Sequence, residues 1–328
     1  MECPKLQWER GADLTARSSG STGEPKTMAF ERGHVIHAIE ASAAHFGWPK
    51  GPQFTAWCPL SMEGIGGRMF VWRALHLGWS LRLEDPSMHP SLPASAGANG
   101  QPNAVIDLAA CTPHQAHHLY ATSQLQQISQ LLIGGGPFPA KLEQLMADGH
   151  RTNAFKTRIH HTFGMTETLT HIAERSLGDT VYHVLPGITI SSRQGRLVVD
   201  APGRGVHGLL THDEVSIAPQ TPDCFQWNGR SDNVINSDGL KVHPELLECQ
   251  LIASTAHGHF FSGDFYLIGR PHSTTSEQIT LVMSGVENLA LAEDLLRACS
   301  DVLPGPCRPR KVEWRSFTFT RTGKLIRA

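Results

Sequence analysis

Between residues 53 and 164, short apolar runs alternate with amphipathic stretches, and this alternation restricts the possible folds more than any other feature of the chain. Residues 54–60, 79–83, 104–109, 130–133 and 158–163 carry few polar positions and read as strands buried on both faces. Residues 66–77, 113–122 and 139–149, lying between them, read as helices. Parallel strands need a crossover, usually a helix, so the pattern predicts an α/β fold with a mostly parallel sheet and helices on its faces. Residues 91–102, rich in Ala, Gly, Pro and Ser, read as a surface loop.

After Thr170 the texture changes. Residues 181–184, 188–192, 196–199 and 208–211 are short runs separated by Gly, Pro or polar turns, as in an antiparallel sheet. Past Gly229 a smaller α+β unit is expected, with helices at 244–254 and 288–300 and strands at 260–268, 278–283 and 312–314. The expected division is a large domain over residues 1–229 and a small one over 230–328, with no internal repeat.

Composition narrows the partners. Lys and Arg number 28 against 30 for Asp and Glu, which gives no nucleic-acid surface. The seven cysteines are scattered without a C-x-x-C, as free thiols in a reducing compartment would be. No apolar run approaches the roughly 20 residues that span a bilayer, and Met1-Glu-Cys-Pro4 opens no signal peptide, so a cytoplasmic location is expected. The 19 histidines include the clusters His34/His37, His114/His117/His118, His160/His161 and His257/His259. None has a recurring carboxylate at ligand spacing, so surface and packing roles are expected.

Two glycine patterns suggest phosphate chemistry. In Ser18-Ser-Gly-Ser-Thr-Gly-Glu-Pro-Lys26, small residues leave backbone N–H groups free for phosphate oxygens and one Lys supplies a compact charge. Residues 20–27 nearly spell G-x-x-x-x-G-K-[ST], but Pro25 stands at the second glycine and has no N–H to give, so this is not a P-loop. Taken alone, the stretch also reads as a flexible Gly/Ser turn. The second pattern, Gly203-Arg-Gly-Val-His-Gly208, matches G-x-G-x-x-G, yet a β-like run follows it where a dinucleotide site needs a helix. It reads as a turn in an antiparallel sheet.

Five stretches in order carry a family resemblance: Ser18–Lys26; His161-Thr-Phe-Gly-Met-Thr-Glu-Thr168; Leu210-Thr-His-Asp213; Gly229-Arg-Ser-Asp-Asn-Val-Ile-Asn236 with Lys241-Val-His-Pro-Glu245; and Arg321-Thr-Gly-Lys-Leu-Ile-Arg327. Together they resemble the acyl-CoA synthetase/adenylation-domain/luciferase superfamily, with motifs S-G-S-T-G-x-P-K, Y-G-x-T-E, T-G-D, G-R-x-D…K-x-x-P-x-E and T-x-x-G-K. The resemblance implies a truncated adenylate-forming fold using ATP, Mg²⁺ and coenzyme A. Ser18, Ser21, Thr22, Gly23 and Lys26 would handle the β- and γ-phosphates. Gly134, Gly135 and Gly136 would lie against adenine, with Phe163, Gly164 and Met165 beside it and the Phe163 ring stacked on the base. Thr166 would contact the α-phosphate, and Glu167 would hold Mg²⁺, a hard cation that favours oxygen ligands. Asp213 would accept the ribose hydroxyls and Arg230 would add a contact there. Asp232 falls on the hinge. Lys324 would bridge the acid's carboxylate and the α-phosphate while the adenylate forms.

The chain departs from the pattern in three places. Only 17 residues precede Ser18, so most of the usual N-terminal subdomain is expected to be missing. Phe163 stands where Tyr is usual, and Asp238 replaces a glycine after the hinge, which bears on the thioester step. Residues 60–79 and 164–173 are similar to compact o-succinylbenzoate–CoA ligases of menaquinone biosynthesis. A substrate with a second carboxylate suits a cationic pocket, and the candidates are Arg68, Arg73 and His171. Helix-surface arginines and a packed histidine are the alternative. The other functional readings are a ligase for a different aryl or short acid and a non-catalytic nucleotide- or acyl-binding relative. A carrier-loading domain is disfavoured because the chain ends three residues after Leu325 with no carrier attached.

Overall fold

A computed structural model describes residues 2–11, 13–17, 26–92, 105–136, 138, 140–237, 239–254, 265–272, 277–319 and 325–327. Ser18, Ser21, Thr22, Gly23, Asp238, Lys324 and most of the 91–102 loop lie outside the described residues.

The chain begins with α1 (Pro4–Arg10), an antiparallel ribbon of β1 (Leu14–Arg17) and β2 (Thr27–Phe30), and α2 (Arg32–Phe46). The expected phosphate loop is the connection between β1 and β2. Next come β3 (Thr55–Cys58), α3 (Ile65–Leu77), β4 (Ser80–Leu83), β5 (Ile106–Cys111), α4 (Pro113–Ala121), β6 (Ile128–Ile133), α5 (Ala140–Arg151) and β7 (Arg158–Met165). These strands pair in parallel, in the order β4-β3-β5-β6-β7. Both faces of the parallel half are covered. Ala56 and Cys58 join a core with α2 and α3, while the intervening Trp57 joins one with α4 and α5; Leu132 and Leu131 divide in the same way. Strand alternation sends neighbours to opposite faces, and both faces are apolar, which is why these runs look continuous in sequence. Thr112 starts α4 cleanly: its hydroxyl accepts from Gln115 N–H while the Gln115 side chain accepts from Thr112 N–H.

At β8 (Thr170–Ser176) the direction reverses. β9 (Val181–Val184), β10 (Thr189–Arg193), β11 (Arg196–Ala201), β12 (Val206–Ser216) and β13 (Cys224–Arg230) add antiparallel. The expected parallel and antiparallel parts are thus two halves of one 11-stranded sheet, β10-β11-β12-β13-β9-β8-β7-β6-β5-β3-β4, joined at the β7–β8 pair. Gly203–Gly208 spans the turn between β11 and β12, with strand and not helix after it.

The rest is α+β: a hairpin of β14 (Ile235–Ser237) and β15 (Leu240–Val242), α6 (Pro244–Ala253), then β16 (Phe265–Pro271), β17 (Glu277–Ser284), α7 (Leu289–Val302) and β18 (Lys311–Arg315). The last three strands form their own sheet, and β19 (Thr318–Phe319) pairs with β20 (Leu325–Ile326). An apolar cluster from Ile235 to Cys307 fills this region separately. None of the described helices is long and apolar enough to cross a membrane.

Candidate active site

Adjacent parallel strand ends bring the first two candidate segments together. Gly134–Gly136 leave β6, and β7 runs beside them to Phe163 and Met165. The Thr162 hydroxyl donates to Ile133 O and stands 2.7 Å from where a Cβ on Gly134 would sit, so the two segments touch. His161 locks the arrangement. A carbonyl only accepts, so Nε2–H donates to Gly136 O (3.3 Å) and Nδ1 accepts from the Tyr182 hydroxyl (2.9 Å). Burial pulls the His161 pKa down to about 3 and pushes Tyr182 up to about 12, so both are neutral. Neither was assigned a role from sequence. Phe163 is half-buried and meets Tyr182 and Phe225 edge-on, at 5.6 and 5.1 Å.

Past Met165 the chain makes a 3-10 turn, Thr166–Thr168, with Thr166 buried and Glu167 exposed. The turn is tight. A Cβ on Gly164 would overlap the Thr170 carbonyl, and Leu169 and Thr170 both lie in the left-handed region at φ +54° and +80°. Thr168 Oγ1 accepts from Met165 N–H (3.2 Å) and donates to Thr170 O (2.8 Å), closing the turn on itself.

Asp213 on β12 faces Arg230 on β13 across the antiparallel register. It is buried, and its Oδ1 accepts from Trp227 Nε1–H at 2.9 Å. Oδ2 lies 3.9 Å from Arg230 Nη1. Burial raises the Asp213 pKa, and the Trp227 hydrogen bond and Arg230 oppose the rise. Arg230 gives its closer bonds to Asp232, at 2.8 and 2.6 Å, in the turn leaving β13. Asn233 next in line donates to buried Glu245 of α6 at 2.6 Å, so the residues after Arg230 are tied to both sides of the connection.

The three acid-pocket candidates separate. Arg68 and Arg73 are both buried, so neither is a helix-surface arginine. Arg68 donates to Gln7 Oε1 (2.8 Å) and Glu2 O (2.9 Å), and is occupied by the N-terminal helix α1 and the residues before it. His171 is neutral because burial, with Arg73 and Arg204 nearby, holds its pKa well below 6.5. The Ser42 hydroxyl donates to Ala38 O and therefore accepts from His171 Nε2–H (2.9 Å), while Nδ1 accepts from Thr170 Oγ1 (3.1 Å). Both ring nitrogens have protein partners, so as it stands the ring turns no free nitrogen toward a substrate. Arg73 differs: among the described residues its Nε and Nη2 have no hydrogen-bond partner, and it lies over the Trp48 ring at 5.1 Å. Burial, reinforced by nearby Arg204, pulls its pKa to about 9, so it stays charged at neutral pH. Arg204 is the residue that sequence reasoning missed, although its place between Gly203 and Gly205 marked it.

The donor set suits a nucleotide carrying a hard cation. Around Gly135 and Gly136, among the described residues and chain neighbours aside, no heavy atom lies within 4 Å of a would-be Cβ, which leaves room for a flat ring beside the strand end. Glu167 presents an exposed carboxylate. Among the described residues no cluster of three or more His, Cys, Asp or Glu gathers for a metal.

A mixed sheet of this order, with a glycine segment and a Thr-Glu turn at neighbouring strand ends and a small α+β unit following in the chain, defines an adenylate-forming fold. The chain belongs to the AMP-binding enzyme family, whose model matches residues 18–209. It is similar to an isonitrile lipopeptide synthase of Streptomyces coeruleorubidus, 24% identical over 347 residues, covering 94% of this chain and 23% of that protein. The chain spans about a quarter or less of the length of the curated relatives it matches. Among solved structures, an acyl-CoA synthetase (AMP-forming)/AMP-acid ligase II-like protein of Dyadobacter fermentans DSM 18053 is 26% identical with a TM-score of 0.59, covering 98% of this chain and 89% of that one. The o-succinylbenzoate coenzyme A synthetase of Bacillus subtilis, in complex with ATP and magnesium, superposes with a TM-score of 0.72 at 19% identity, covering 95% and 68%.

Proposed function

We propose that the chain is an AMP-forming acid–CoA ligase that activates a carboxylic acid as its adenylate, and that the acid is o-succinylbenzoate. The observation that carries the reading is Asp213: a buried carboxylate clamped at one oxygen by Trp227 of β13, the neighbouring strand, which also carries Phe225 packed against Phe163. Such a group is costly unless it has further donors to accept, and ribose hydroxyls supply them. In this reading Gly134–Gly136 and Phe163 hold adenine, Thr166 contacts the α-phosphate, Arg230 adds a ribose contact, and Ser18, Ser21, Thr22, Gly23 and Lys26 handle the outer phosphates. Glu167 would hold Mg²⁺, which when bound would supply charge neutralisation at the phosphate oxygens. Lys324, by its motif, would bridge the acid's carboxylate and the α-phosphate and steady the charge that builds as the carboxylate oxygen attacks the α-phosphorus and pyrophosphate leaves. The unit from residue 230 onward then turns about Asp232, and the CoA thiol displaces AMP.

Arg73, a buried cation with unused donors, favours an acid carrying a second carboxylate, and the Bacillus subtilis neighbour named for o-succinylbenzoate supports that choice. The synthase relative favours a second reading, in which the adenylate passes to a carrier-bound thiol. A pyrophosphate-release screen over o-succinylbenzoate, benzoate and medium-chain fatty acids, with CoA or a phosphopantetheinyl carrier, separates these. O-succinylbenzoate with CoA should give the highest AMP release, and Arg73→Ala should lower kcat/KM for it by about 2–4 kcal/mol. Silence with that acid alongside turnover of another rejects the substrate while leaving the adenylating activity in place.

A further inference from the structure

The turn carrying Thr166 and Glu167 is strained and held from outside. Two consecutive non-glycine residues, Leu169 and Thr170, occupy the left-handed region, and the second is β-branched, a combination that persists only when its surroundings over-determine it. Arg204 brackets this pair. Its Nη1 donates to the carbonyls of Thr168 (3.0 Å) and His171 (2.8 Å), one on each side of the strained residues. Arg204 is 5% exposed and makes no ion pair among the described residues; burial alone lowers its pKa to about 10, so it keeps its charge. A buried cation without a carboxylate is an expensive way to fill space. The turn between β11 and β12 is shaped to deliver it: glycines at 203 and 205 let the backbone come close to His37 and His34 of α2.

We infer that Arg204 is a positioning residue for metal–nucleotide binding, fixing the Thr166–Thr168 turn so that Glu167 is aimed at the cation that accompanies ATP. This rests on the role proposed above for Glu167. Arg204 itself touches neither nucleotide nor metal; it acts through two carbonyls, as outer partners orient ligands in metal sites generally.

Calorimetric titration of the full chain with ATP, once with Mg²⁺ and once with EDTA, tests this without any acid substrate. Binding stoichiometry counts the folded protein. Wild type should bind more tightly with Mg²⁺, and Glu167→Ala should abolish that gain. Arg204→Ala should lose about 10-fold of it while affinity in EDTA stays the same. Arg204→Lys, which keeps the charge and folds more readily, should fall between. If Glu167→Ala loses the gain and both Arg204 variants keep it, the positioning role is wrong. Equal weakening with Mg²⁺ and with EDTA makes Arg204 merely structural and also overturns the inference. If Glu167→Ala keeps the gain, or wild type shows none, the metal role of Glu167 fails and takes the inference with it.

Discussion

Single residues decide the electrostatics of the nucleotide site, and Trp227 is the clearest case. Its indole N–H donates to the Asp213 carboxylate at 2.9 Å, and it opposes the burial that raises this acid's pKa. In the proposed role Asp213 accepts both ribose hydroxyls best when ionised, so ATP binding should weaken as pH falls through its pKa. Trp227→Phe removes the opposing hydrogen bond, the pKa rises further, and the acidic limb of ATP binding should move to higher pH. Stability should drop by about 1–3 kcal/mol, the usual cost of a buried acceptor left without its donor. ATP titrations from pH 5 to 8 and urea denaturation check both. An unmoved limb would detach Asp213 from the ribose. At this scale the sequence was partly legible. Motifs propose Asp213 and Glu167, whereas Trp227, Tyr182 and Arg204 make contacts between segments far apart in sequence, and no local spacing announces those.

Between elements, the packing of α2 on the β11–β12 turn shows what local patterns conceal. Nothing was assigned to residues 32–46, although Val35, Ala38, Ile39, Ser42, Ala43 and Phe46 follow helical spacing and are buried. Small residues weaken that stripe as a signal, and they are there because another backbone comes close. Gly203-Arg-Gly-Val-His-Gly208 belongs to the same contact. Gly205 has φ +69°, and a Cβ there would stand 2.7 Å from the His34 ring. Gly205→Ala should therefore destabilise by about 1–2 kcal/mol through the left-handed backbone alone, plus a steric part that His34→Ala relieves. Gly203→Ala should cost less, since its φ is not positive and the exposed His37 ring can swing aside. Urea midpoints of the single and double variants measure this, and equal costs at 203 and 205 would refute the backbone argument. The reading of this pattern as a turn holds: Gly203 and Gly205 serve close packing on α2, and no helix follows to receive a dinucleotide.

Across the whole molecule, the connection after β13 is where motion would enter. Two hydrogen-bonded pairs on adjacent residues, Arg230–Asp232 and Asn233–Glu245, tie the connection to β13 and to α6. We place the domain boundary at residues 229/230, beside these pairs. Asp232→Pro holds φ near about −65° and removes the carboxylate that Arg230 grips. Adenylate should still form, seen as one equivalent of pyrophosphate per enzyme, while thioester output falls at least about tenfold. Asp232→Ala, which loses the pair but not the freedom of φ, should impair output less. Full turnover by Asp232→Pro would mean that no rotation occurs about this residue. Two things were determined by the sequence alone: the alternation of buried strands and helices, because burial on both faces leaves continuous apolar runs, and the order of the motifs, because each needs particular residue types at a fixed local spacing. Tertiary structure alone decided that the parallel and antiparallel strands form one sheet, that Arg68 serves the N-terminal helix, that His171 has no nitrogen to offer, and that Arg204 grips the Thr-Glu turn. The reason is physical: hydrogen-bond partners and burial are set by which distant segments meet, and a one-dimensional pattern records the residues that can meet but not the ones that do.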